Sequence, residues 1–275
     1  MAASEAGPIE PLGAGDLDAC MALSREAGWN QTEDDWRHFI GEGRAFGNRA
    51  PDGRLVASAA ALPYDAPFGF VSMVLVTADW RRRGLATRLV DRCVEELQAR
   101  GLVPVLDATA AGAEVYRKQG FVGQFGFDRW QGTLPAAQAA TAPAPADATA
   151  IGALDAEASG AGRARLMDDF LGRDGTIAIC DGDGFALARA GRRAIQAGPV
   201  VAVDETAALG LVDRLFSCLA GPVFIDVPQA WRHIGDWLKA RGFDIQRSFT
   251  RMALGRAEPF GLPARQFAVA GPEFG

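Results

Sequence analysis

The stretch SMVLVTADWRRRGLATRLVDRC, Ser72 to Cys93, joins an apolar run to three consecutive arginines, a glycine and a pattern typical of a helix. Cations at a helix N-terminus oppose the helix dipole, which favours negative charge at that end. The arginines therefore indicate that an anion binds where this helix begins, unless they pair with acidic side chains across a domain face. A diphosphate fits such a helix start, because its first N–H groups lack backbone partners and Gly84 has no Cβ to obstruct a phosphate.

Hydrophobic periodicity on both sides of this stretch predicts alternating strands and helices, and hence a mixed α/β sheet. The apolar stripe from Leu85 to Leu97 marks a helix, and Gly101 ends it as a C′ glycine. The elements predicted for the first half are a strand at Ile9–Leu12, a helix capped by Asp16 and ending near Ala27, a helix capped by Thr32, strands at Arg54–Leu62 and Phe68–Val76, a helix at Gly84–Arg100, a strand at Val103–Leu106, a helix ending near Gln119 and a final strand or two from Phe121.

Composition and charge limit the number of domains and the classes of function to which this chain can belong. The 275 residues are 49% hydrophobic and carry a net charge of −6, so we expect one large or two ordinary domains and no nucleic-acid or membrane-surface role. We find no membrane-spanning run and no signal peptide, and therefore expect a cytoplasmic protein. The four cysteines are far apart and predict reduced core thiols, and the absence of a His/Cys cluster predicts no metal site.

The chain contains an internal repeat. The pattern GFxxQxxFxR begins at Gly120 and again at Gly242, and LVDR begins at Leu89 and at Leu211, so both pairs lie 122 positions apart. Two matches at one offset indicate a duplicated unit. Between the copies lies LPAAQAATAPAPADATA, which is too poor in large apolar residues to be a core segment. We therefore predict domains at 1–133 and 151–275 joined by a linker at 134–150.

The second copy differs from the first at the arginine stretch. The 122-residue offset places RRRGLAT on VDETAAL, residues 203–209, and Tyr116 on Leu238. Carboxylates at a helix start suit the helix dipole but repel a pyrophosphate. We expect a single active site, in the first half. The second half is then a scaffold, a wall of the acceptor pocket or a regulatory site.

Arg81-x-x-Gly84-x-Ala86 resembles the [RQ]xxGx[GA] pyrophosphate loop of the GNAT acyltransferase superfamily. The preceding VLVTADW resembles the strand and turn of that family, and EVYRKQGF, Glu114 to Phe121, resembles its LYxKxGF motif. The resemblance covers about Ile9 to Gly132. It implies an α/β (α+β) fold of two tandem GNAT-like domains, each a mixed, mostly antiparallel twisted sheet flanked by helices, with a degenerate second domain.

The resemblance implies acetyl-CoA as the co-substrate, without a metal. The pyrophosphate would lie on the N–H groups from Arg82 to Thr87, the pantetheine arm would pair with the end of the preceding strand, and Tyr116 would protonate the departing thiolate. Thr109 stands where the family often has Asn, which puts one cofactor contact in doubt. The residues placed at the cofactor are Met73, Val74, Leu75, Val76, Arg81, Arg82, Arg83, Gly84, Leu85, Ala86, Thr87 and Thr109.

The general base is left open by the sequence. Many relatives carry a glutamate on the strand before the loop, whereas FGFVSMVLV has no carboxylate. Asp107, at the end of the next strand, and His38 are candidates, either directly or through water, and the amine could also arrive unprotonated. The alternative for Asp107 is a strand-end cap, and for His38 a solvated helix residue. Backbone N–H groups near Val74–Val76 would stabilise the oxyanion.

The segment GWNQTEDDW, Gly28 to Trp36, lies where this superfamily lines its acceptor site. Trp29, Asn30 and Gln31 offer an aromatic wall with amide groups, although the segment also reads as a capped helix start with a hydrophobic staple. Asp226, which aligns loosely with Asp107, could bind a cationic amine if the two halves face each other.

The resemblance implies N-acetylation of a primary amine of a small metabolite or amino-acid-like acceptor by direct attack on acetyl-CoA. Protein N-termini and lysines are alternative acceptors that the sequence leaves open, and a homodimer is compatible with the sequence. Two further classes of function are a non-catalytic acyl-CoA-binding sensor or interaction module, and a structural protein that binds ATP or NAD at the arginine turn.

Overall fold

The structure, a computed structural model, describes residues 6–137, 147–182 and 184–275. It divides into two compact units, Met1–Val105 and Leu106–Gly275. Residues 138–146 of the predicted linker lie outside the described residues, so the domain division at 134–150 stays a prediction.

The first unit is a mostly antiparallel sheet with helices. Strands β1 to β4 pair in sequence order and antiparallel, and β5 joins β4 in parallel. Its elements are β1 (Glu10–Pro11), α1 (Leu17–Glu26), α2 (Glu33–Gly41), β2 (Arg44–Arg49), β3 (Leu55–Pro63), β4 (Phe68–Val76), α3 (Leu85–Gln98) and β5 (Val103–Ala108), which runs across the division.

The predicted elements of this region are confirmed, and one strand was missed. The strand β2, with the sequence RAFGNR, alternates poorly and holds a central glycine, and both features weaken a strand signal. Tertiary packing requires that glycine. A Cβ on Gly47 would stand 2.6 Å from the side chain of Leu55.

The two N-terminal helices are fixed by local hydrogen bonds. Thr32 caps α2 in a reciprocal capping box, in which its N–H donates to Asp35 Oδ2 at 2.8 Å. Trp36 Nε1 donates to Ser24 Oγ at 2.9 Å and ties α2 to α1 inside the core. Asp16 lies at the N-cap of α1 as predicted, but its carboxylate accepts from Gly13 N instead of capping α1.

Two of the four cysteines are core thiols, as predicted. Cys20 and Cys93 are buried, and burial raises the pKa of Cys20 to about 12 and also raises the pKa of Cys93. Both thiols are therefore protonated and unreactive near neutral pH. For Cys180 and Cys218 the prediction of core thiols is wrong, because both are only half-buried; all four cysteines are free.

The second unit contains a mixed sheet in the order β11-β6-β10-β9-β8-β7, with β12 on β9. The pairing of β9 with β10 is parallel, and the other pairings within this sheet are antiparallel. The elements are α4 (Ala110–Lys118), β6 (Phe121–Leu134), α5 (Ala148–Ser159), α6 (Ala164–Gly172), β7 (Ile177–Cys180), β8 (Phe185–Arg189), β9 (Ile195–Val201), α7 (Glu205–Ser217), β10 (Gly221–Pro228), α8 (Arg232–Ala240), β11 (Asp244–Leu254) and β12 (Gln266–Ala268).

Strand β6 belongs to the first copy of the repeat but lies between two strands of the second copy, β10 and β11. Its partner β11 carries the same GFxxQxxFxR pattern, and the equivalent phenylalanines Phe127 and Phe249 face each other in register. Their rings stack at 5.1 Å with 14° between planes. Because β6 lies between β10 and β11, the helix α4, which directly precedes β6 in the chain, also falls in the second compact unit.

Within the described ranges, no helix is both long enough and apolar enough to cross a membrane. The same residues contain no group of three or more His, Cys, Asp or Glu side chains placed to hold a metal ion.

Packing of β6 against Phe243, the residue that precedes β11, can be tested at Gly132. A Cβ there would meet the ring of Phe243 at 2.5 Å, and Phe243 is itself 1% exposed and cannot move aside. We expect Gly132→Ala to lower the free energy of unfolding by about 1–3 kcal/mol through overpacking. The measurement is urea unfolding followed by tryptophan fluorescence.

Gly210→Ala is the matched control, because Gly210 is exposed within α7 and a Cβ there would meet open space. We expect it to stabilise the protein by about 0.5–1 kcal/mol. Equal effects of the two substitutions would contradict the packing of β6 described above.

Candidate active site

The corner between β4 and α3 is held by hydrogen bonds that its backbone N–H groups donate. Thr77 N donates to Val56 O at 2.9 Å, and Ala78 N donates to Glu26 Oε1 at 2.8 Å. Trp80 is buried at the turn, and the guanidinium of Arg83 lies 4.4 Å from the centre of its ring. The turn that carries the arginines is therefore held in a defined shape.

Two residues of the arginine loop adopt left-handed backbone conformations. The φ angle is 61° at Arg82 and 75° at Gly84, which is the N-cap residue of α3. Only the glycine adopts this conformation without strain, and a non-glycine residue held there is typical of functional sites. The first turn of α3 contains no acidic residue, so the positive end of its dipole is not neutralised by its own sequence.

The arginine side chains are exposed and also support the loop. Arg81 Nε donates to Val76 O at 3.2 Å, and an Arg83 amino group donates to Asp79 O at 2.9 Å. The carboxylate of Asp79, in the same turn, pairs with Arg54 at 2.6 Å, which holds the pKa of Asp79 below its usual range. The corner thus presents cationic groups on a braced backbone.

Strand β4 is interrupted by a bulge that the sequence did not reveal. Met73 and Val74 both lie opposite Ala59, Met73 has a φ of 53°, and its carbonyl oxygen accepts from Ser58 Oγ at 2.9 Å. No glycine or proline marks this position, so composition gave no signal for it. Bulges next to active sites turn the backbone groups of a strand away from its neighbours.

The pairing of β4 with β5 covers only Phe68–Phe70 and Val103–Val105. The end of β4, which the sequence assigned to the pantetheine arm, lies beyond this pairing. The N–H and C=O groups on that edge are of the kind that an extended ligand pairs with as an added strand. Of the residues that follow at the start of α3, Leu85 is buried, and Ala86 and Thr87 are half-buried.

The segment between α1 and α2 places polar groups in a buried position. Asn30 is 6% and Gln31 is 4% exposed, while Trp29 is half-buried. The Oε1 atom of Gln31 is buried and has no hydrogen-bond partner among the described residues. A buried acceptor without a partner costs about 1–3 kcal/mol, so this atom marks a place where a ligand or water donates.

His38, one of the two candidate bases, is buried on α2 and not solvated. Its ring packs edge-to-face on Phe39 at 6.5 Å. The alternative that it is a solvated helix residue is therefore wrong, and its role as a base stays a prediction.

The second unit holds the other predicted residues of the reaction. Thr109 is the N-cap residue of α4, and its Oγ1 accepts from Gly112 N at 3.3 Å. Tyr116 lies half-buried on the same helix, with its ring edge-to-face against Phe121 at 6.1 Å. Their roles towards acetyl-CoA stay predictions.

Asp107 is engaged more fully than the sequence indicated. Its side chain is completely buried, and its two oxygens accept from Nε and an amino group of Arg251 at 2.8 and 2.7 Å. Burial raises the pKa of Asp107, and the adjacent guanidinium opposes that rise. These contacts fit the alternative of a strand-end anchor, because both oxygens of the carboxylate are already in use.

Asp226, predicted as a ligand for a cationic amine, is also fully buried. Its oxygens accept from Arg129 Nε at 2.8 Å, from an Arg129 amino group at 2.8 Å and from Gln196 Nε2 at 2.9 Å. A carboxylate surrounded by these donors offers no face to an amine. We therefore leave Asp226 out of the acceptor site proposed below.

The corresponding helix start of the second repeat carries carboxylates instead of arginines, at the place given by the 122-residue offset. Asp204 caps α7 by accepting from Ala207 N at 2.8 Å, and Glu205 follows in the first turn. Leu238, at the position of Tyr116, is fully buried on α8. An anion would meet two carboxylates at this helix start.

The strand edge that would take a pantetheine in the second repeat is occupied by the chain itself. Strand β9 has a bulge at Gly198–Pro199, which corresponds to the bulge in β4. The residues after it, Val200 and Val201, pair with β12, and Val269 N donates to Asp226 O on the neighbouring β10. The gap between β9 and β10 is thus closed by residues 266–269.

Comparisons with known proteins agree with this geometry. A sequence profile of the Acetyltransferase (GNAT) family matches residues 16–121, and one of the Acetyltransferase (GNAT) domain matches residues 151–267. An uncharacterized N-acetyltransferase of Bacillus subtilis (strain 168), YitH, is 25% identical over 239 residues, which cover 82% of this chain and 84% of that protein.

Two solved structures show the same fold. A candidate acetyltransferase from Pyrococcus horikoshii superposes with a TM-score of 0.81 at 18% identity, over 98% of this chain and 95% of that one. A tandem GNAT protein from the clavulanic acid biosynthesis pathway superposes with a TM-score of 0.60 at 17% identity, over 90% of this chain and 97% of that one. The predicted two-domain fold is confirmed.

The strain at Arg82 can be measured without a ligand. Because its φ is 61° and its side chain is exposed, Arg82→Gly removes the strain with little loss of packing. We expect the free energy of unfolding to rise by about 0.5–1 kcal/mol, since the left-handed conformation costs an L-residue roughly 1–2 kcal/mol. The measurement is chemical denaturation.

Arg83→Gly is the control, because Arg83 is exposed in the same loop but does not have a positive φ. We expect it to be neutral or destabilising. A gain in stability from Arg83→Gly equal to that from Arg82→Gly would count against strain at this position.

Proposed function

Because the chain belongs to the GNAT acetyltransferase superfamily and carries two of its domains in tandem, we propose that its first domain transfers an acetyl group from acetyl-CoA to a primary amine of a small metabolite or amino-acid-like acceptor. One observation carries the assignment to the first domain. Helix α3 begins after a strained, arginine-bearing loop without an acidic residue in its first turn, whereas α7 begins with Asp204 and Glu205.

In this proposal the loop from Arg81 to Gly84 and the first N–H groups of α3 hold the pyrophosphate of acetyl-CoA. Helix dipole, N–H groups and guanidinium groups all favour an anion there. The pantetheine arm pairs with the end of β4 that contains the bulge, at Met73 to Val76. These groups bind and orient the thioester, which supplies the activated acetyl group.

The reaction is a direct transfer. The nitrogen lone pair of the neutral amine attacks the thioester carbonyl, so the C–N bond forms and the C–S bond breaks. N–H groups at Val74–Val76, after the bulge, stabilise the oxyanion, and each such donor is worth about 3 kcal/mol. Tyr116 gives its proton to the departing thiolate, as the resemblance implies, and the amine loses a proton to a base or to water.

The proposed proton acceptor for the amine is water, and His38 is the candidate side chain to take the proton from that water. Both oxygens of Asp107 accept from Arg251, which leaves that carboxylate a poor proton acceptor. An imidazole is the side chain best suited to proton transfer near neutral pH.

The segment between α1 and α2 supports the proposed acceptor class. The buried Oε1 of Gln31 has no partner among the described residues, and an amine or ammonium N–H of the acceptor would satisfy it. Trp29 beside it provides an aromatic face, which attracts a cationic or apolar portion of the same molecule.

The acetyltransferase proposal is tested at Tyr116. We expect Tyr116→Phe to lower kcat by about 100-fold or more, because a general acid contributes roughly 10²–10⁴-fold, while the Kd for acetyl-CoA stays within twofold. Thiol release is followed against a panel of amines, amino acids, polyamines and peptides, and acetyl-CoA binding by calorimetry. Tyr64→Phe, at the other tyrosine of the chain, is the matched control and should retain activity.

The sensor alternative predicts a different result from the same assay. A sensor would bind acetyl-CoA but release no thiol with any acceptor of the panel, in the wild type as in the variant. A nucleotide-binding protein would be stabilised by ATP or NAD and not by acetyl-CoA. A ligand at 100 times its Kd adds about 2.7 kcal/mol of stability, which thermal unfolding detects easily.

The acceptor contact is tested by Gln31→Leu. Removing the unpartnered oxygen should leave the stability equal or higher, and should raise the KM of the acceptor about tenfold or more, which corresponds to about 1.4 kcal/mol. The Kd of acetyl-CoA should not change. Asn48→Ala, at another buried amide whose Oδ1 has no partner in the described residues, is the control and should leave KM unchanged.

An unaltered acceptor KM in Gln31→Leu would remove Gln31 from the proposed site, and the acetyl-transfer proposal would then rest on Tyr116 and the arginine loop alone.

A further inference from the structure

The second unit contains two Arg–Asp pairs that cross between the repeats. Arg129 and Arg251 occupy the last position of the GFxxQxxFxR pattern in the first and second copy, 122 residues apart. Arg129 binds Asp226 on β10 of the second copy, and Arg251 binds Asp107 at the end of β5 of the first copy. Each repeat therefore supplies the guanidinium that neutralises the strand-end aspartate of the other.

The two pairs have matching geometry. In each pair, Nε and an amino group of the arginine donate to the two carboxylate oxygens at 2.7–2.8 Å. Each arginine side chain is 10% exposed and each aspartate side chain is completely buried. Such two-point charge-assisted bonds fix the carboxylate in orientation as well as in position.

Both arginine side chains pack against aromatic rings. Arg251 lies over the rings of Phe125 and Phe127, at 5.1 and 5.9 Å. Arg129 lies over Phe224 and Phe249, at 5.0 and 5.8 Å. Because Phe127 and Phe249 stack on each other between the two pairs, both guanidinium groups rest against one aromatic cluster.

The two pairs differ in the helix that comes after the aspartate along the chain. Asp226 precedes α8, which carries the buried Leu238. Asp107 stands two residues before Thr109, the N-cap of α4, and α4 carries Tyr116. Arg251 thus fixes the strand end from which the Tyr116 helix starts.

We propose that Arg251 is a positioning residue for the reaction proposed above: acting through Asp107, it fixes the start of α4 and with it the Tyr116 hydroxyl. This inference rests on the proposed function. It gives the second repeat a part in the activity of the first, because the arginine comes from β11. Arg129, the equivalent residue, has no such role, because the helix after Asp226 carries the buried Leu238 at the position of Tyr116.

The matched pair Arg251→Gln and Arg129→Gln tests the proposal. Both substitutions remove a guanidinium from a buried carboxylate of the same exposure, so both should lower the melting temperature, although Asp226 keeps its hydrogen bond from Gln196 Nε2 in Arg129→Gln. At a temperature well below both transitions, we expect Arg251→Gln to lower kcat at least tenfold, with the Kd of acetyl-CoA within twofold. Arg129→Gln should keep at least half of the wild-type kcat. Equal losses of kcat in the two variants would overturn the proposal.

Asp107→Asn distinguishes positioning from base catalysis. If Arg251 acts through Asp107, then Asp107→Asn, Arg251→Gln and the double variant should have similar kcat values, because all three break one contact. If Asp107 were the base, Arg251→Gln would free it and keep kcat, while Asp107→Asn alone would abolish the acidic limb of the pH–rate profile. That second result would overturn the proposal. Arg251→Lys, which keeps the charge and loses the two-point bond, should fall between wild type and Arg251→Gln.

A readout independent of turnover separates this inference from the proposed function. The chain has two tyrosines, so protein labelled with ¹³C at the tyrosine Cζ position gives two NMR signals, assigned with Tyr116→Phe and Tyr64→Phe. We expect Arg251→Gln or Arg251→Lys to shift the Tyr116 signal, and Arg129→Gln to leave it in place. A shifted signal in a protein without acetyltransferase activity would refute the proposed function and keep the positioning role. An unmoved Tyr116 signal in both Arg251 variants would refute the positioning role, whatever the activity.

Discussion

The pairing of β6 with β11 is the interaction on which the second unit depends. It brings the same ten-residue pattern from the two repeats face to face, with Phe127 stacked on Phe249 at its centre. Because β6 also pairs with β10, a strand of the first repeat is a central strand of the second unit. Removing β6 would leave the facing edges of β10 and β11 without hydrogen-bond partners and would take Arg129 away from the buried Asp226. Removing β11 would leave the facing edge of β6 unpaired and would take Arg251 away from the buried Asp107.

The two repeats use one strand–turn–helix corner in opposite ways. In the first, the corner carries three arginines and a helix start without acidic residues; in the second, Asp204 and Glu205 satisfy the helix start themselves. The strand edge after the bulge also differs between the repeats, because β12 pairs with this edge in the second repeat. A duplicated fold has thus kept its backbone, while charge and edge pairing leave the proposed acetyl-CoA site in the first repeat.

Several structural features around the candidate site could be predicted from the sequence because their signals are local. The run of arginines before a helix and the capping residue Thr32 each involve residues within a few turns of each other, and the duplication was found because GFxxQxxFxR recurs 122 positions later. The bulge at Met73 was missed because no glycine or proline marks it, and the strand β2 was missed because it alternates poorly around a central glycine. Their conformation is set by neighbouring strands, such as the Ser58 hydroxyl that holds the Met73 carbonyl.

By itself the sequence determined the family, the duplication and the arginine-bearing helix start for which we propose the pyrophosphate site, because motifs, caps and periodicity are read along short stretches of the chain. Only the tertiary structure decided what Asp107 and Asp226 do. Each meets an arginine about 100 or more positions away, from the other repeat, and no local pattern records such a pairing. Burial then turns two strand-end carboxylates from candidate reactive groups into anchors, since a carboxylate inside a sheet requires a partner charge.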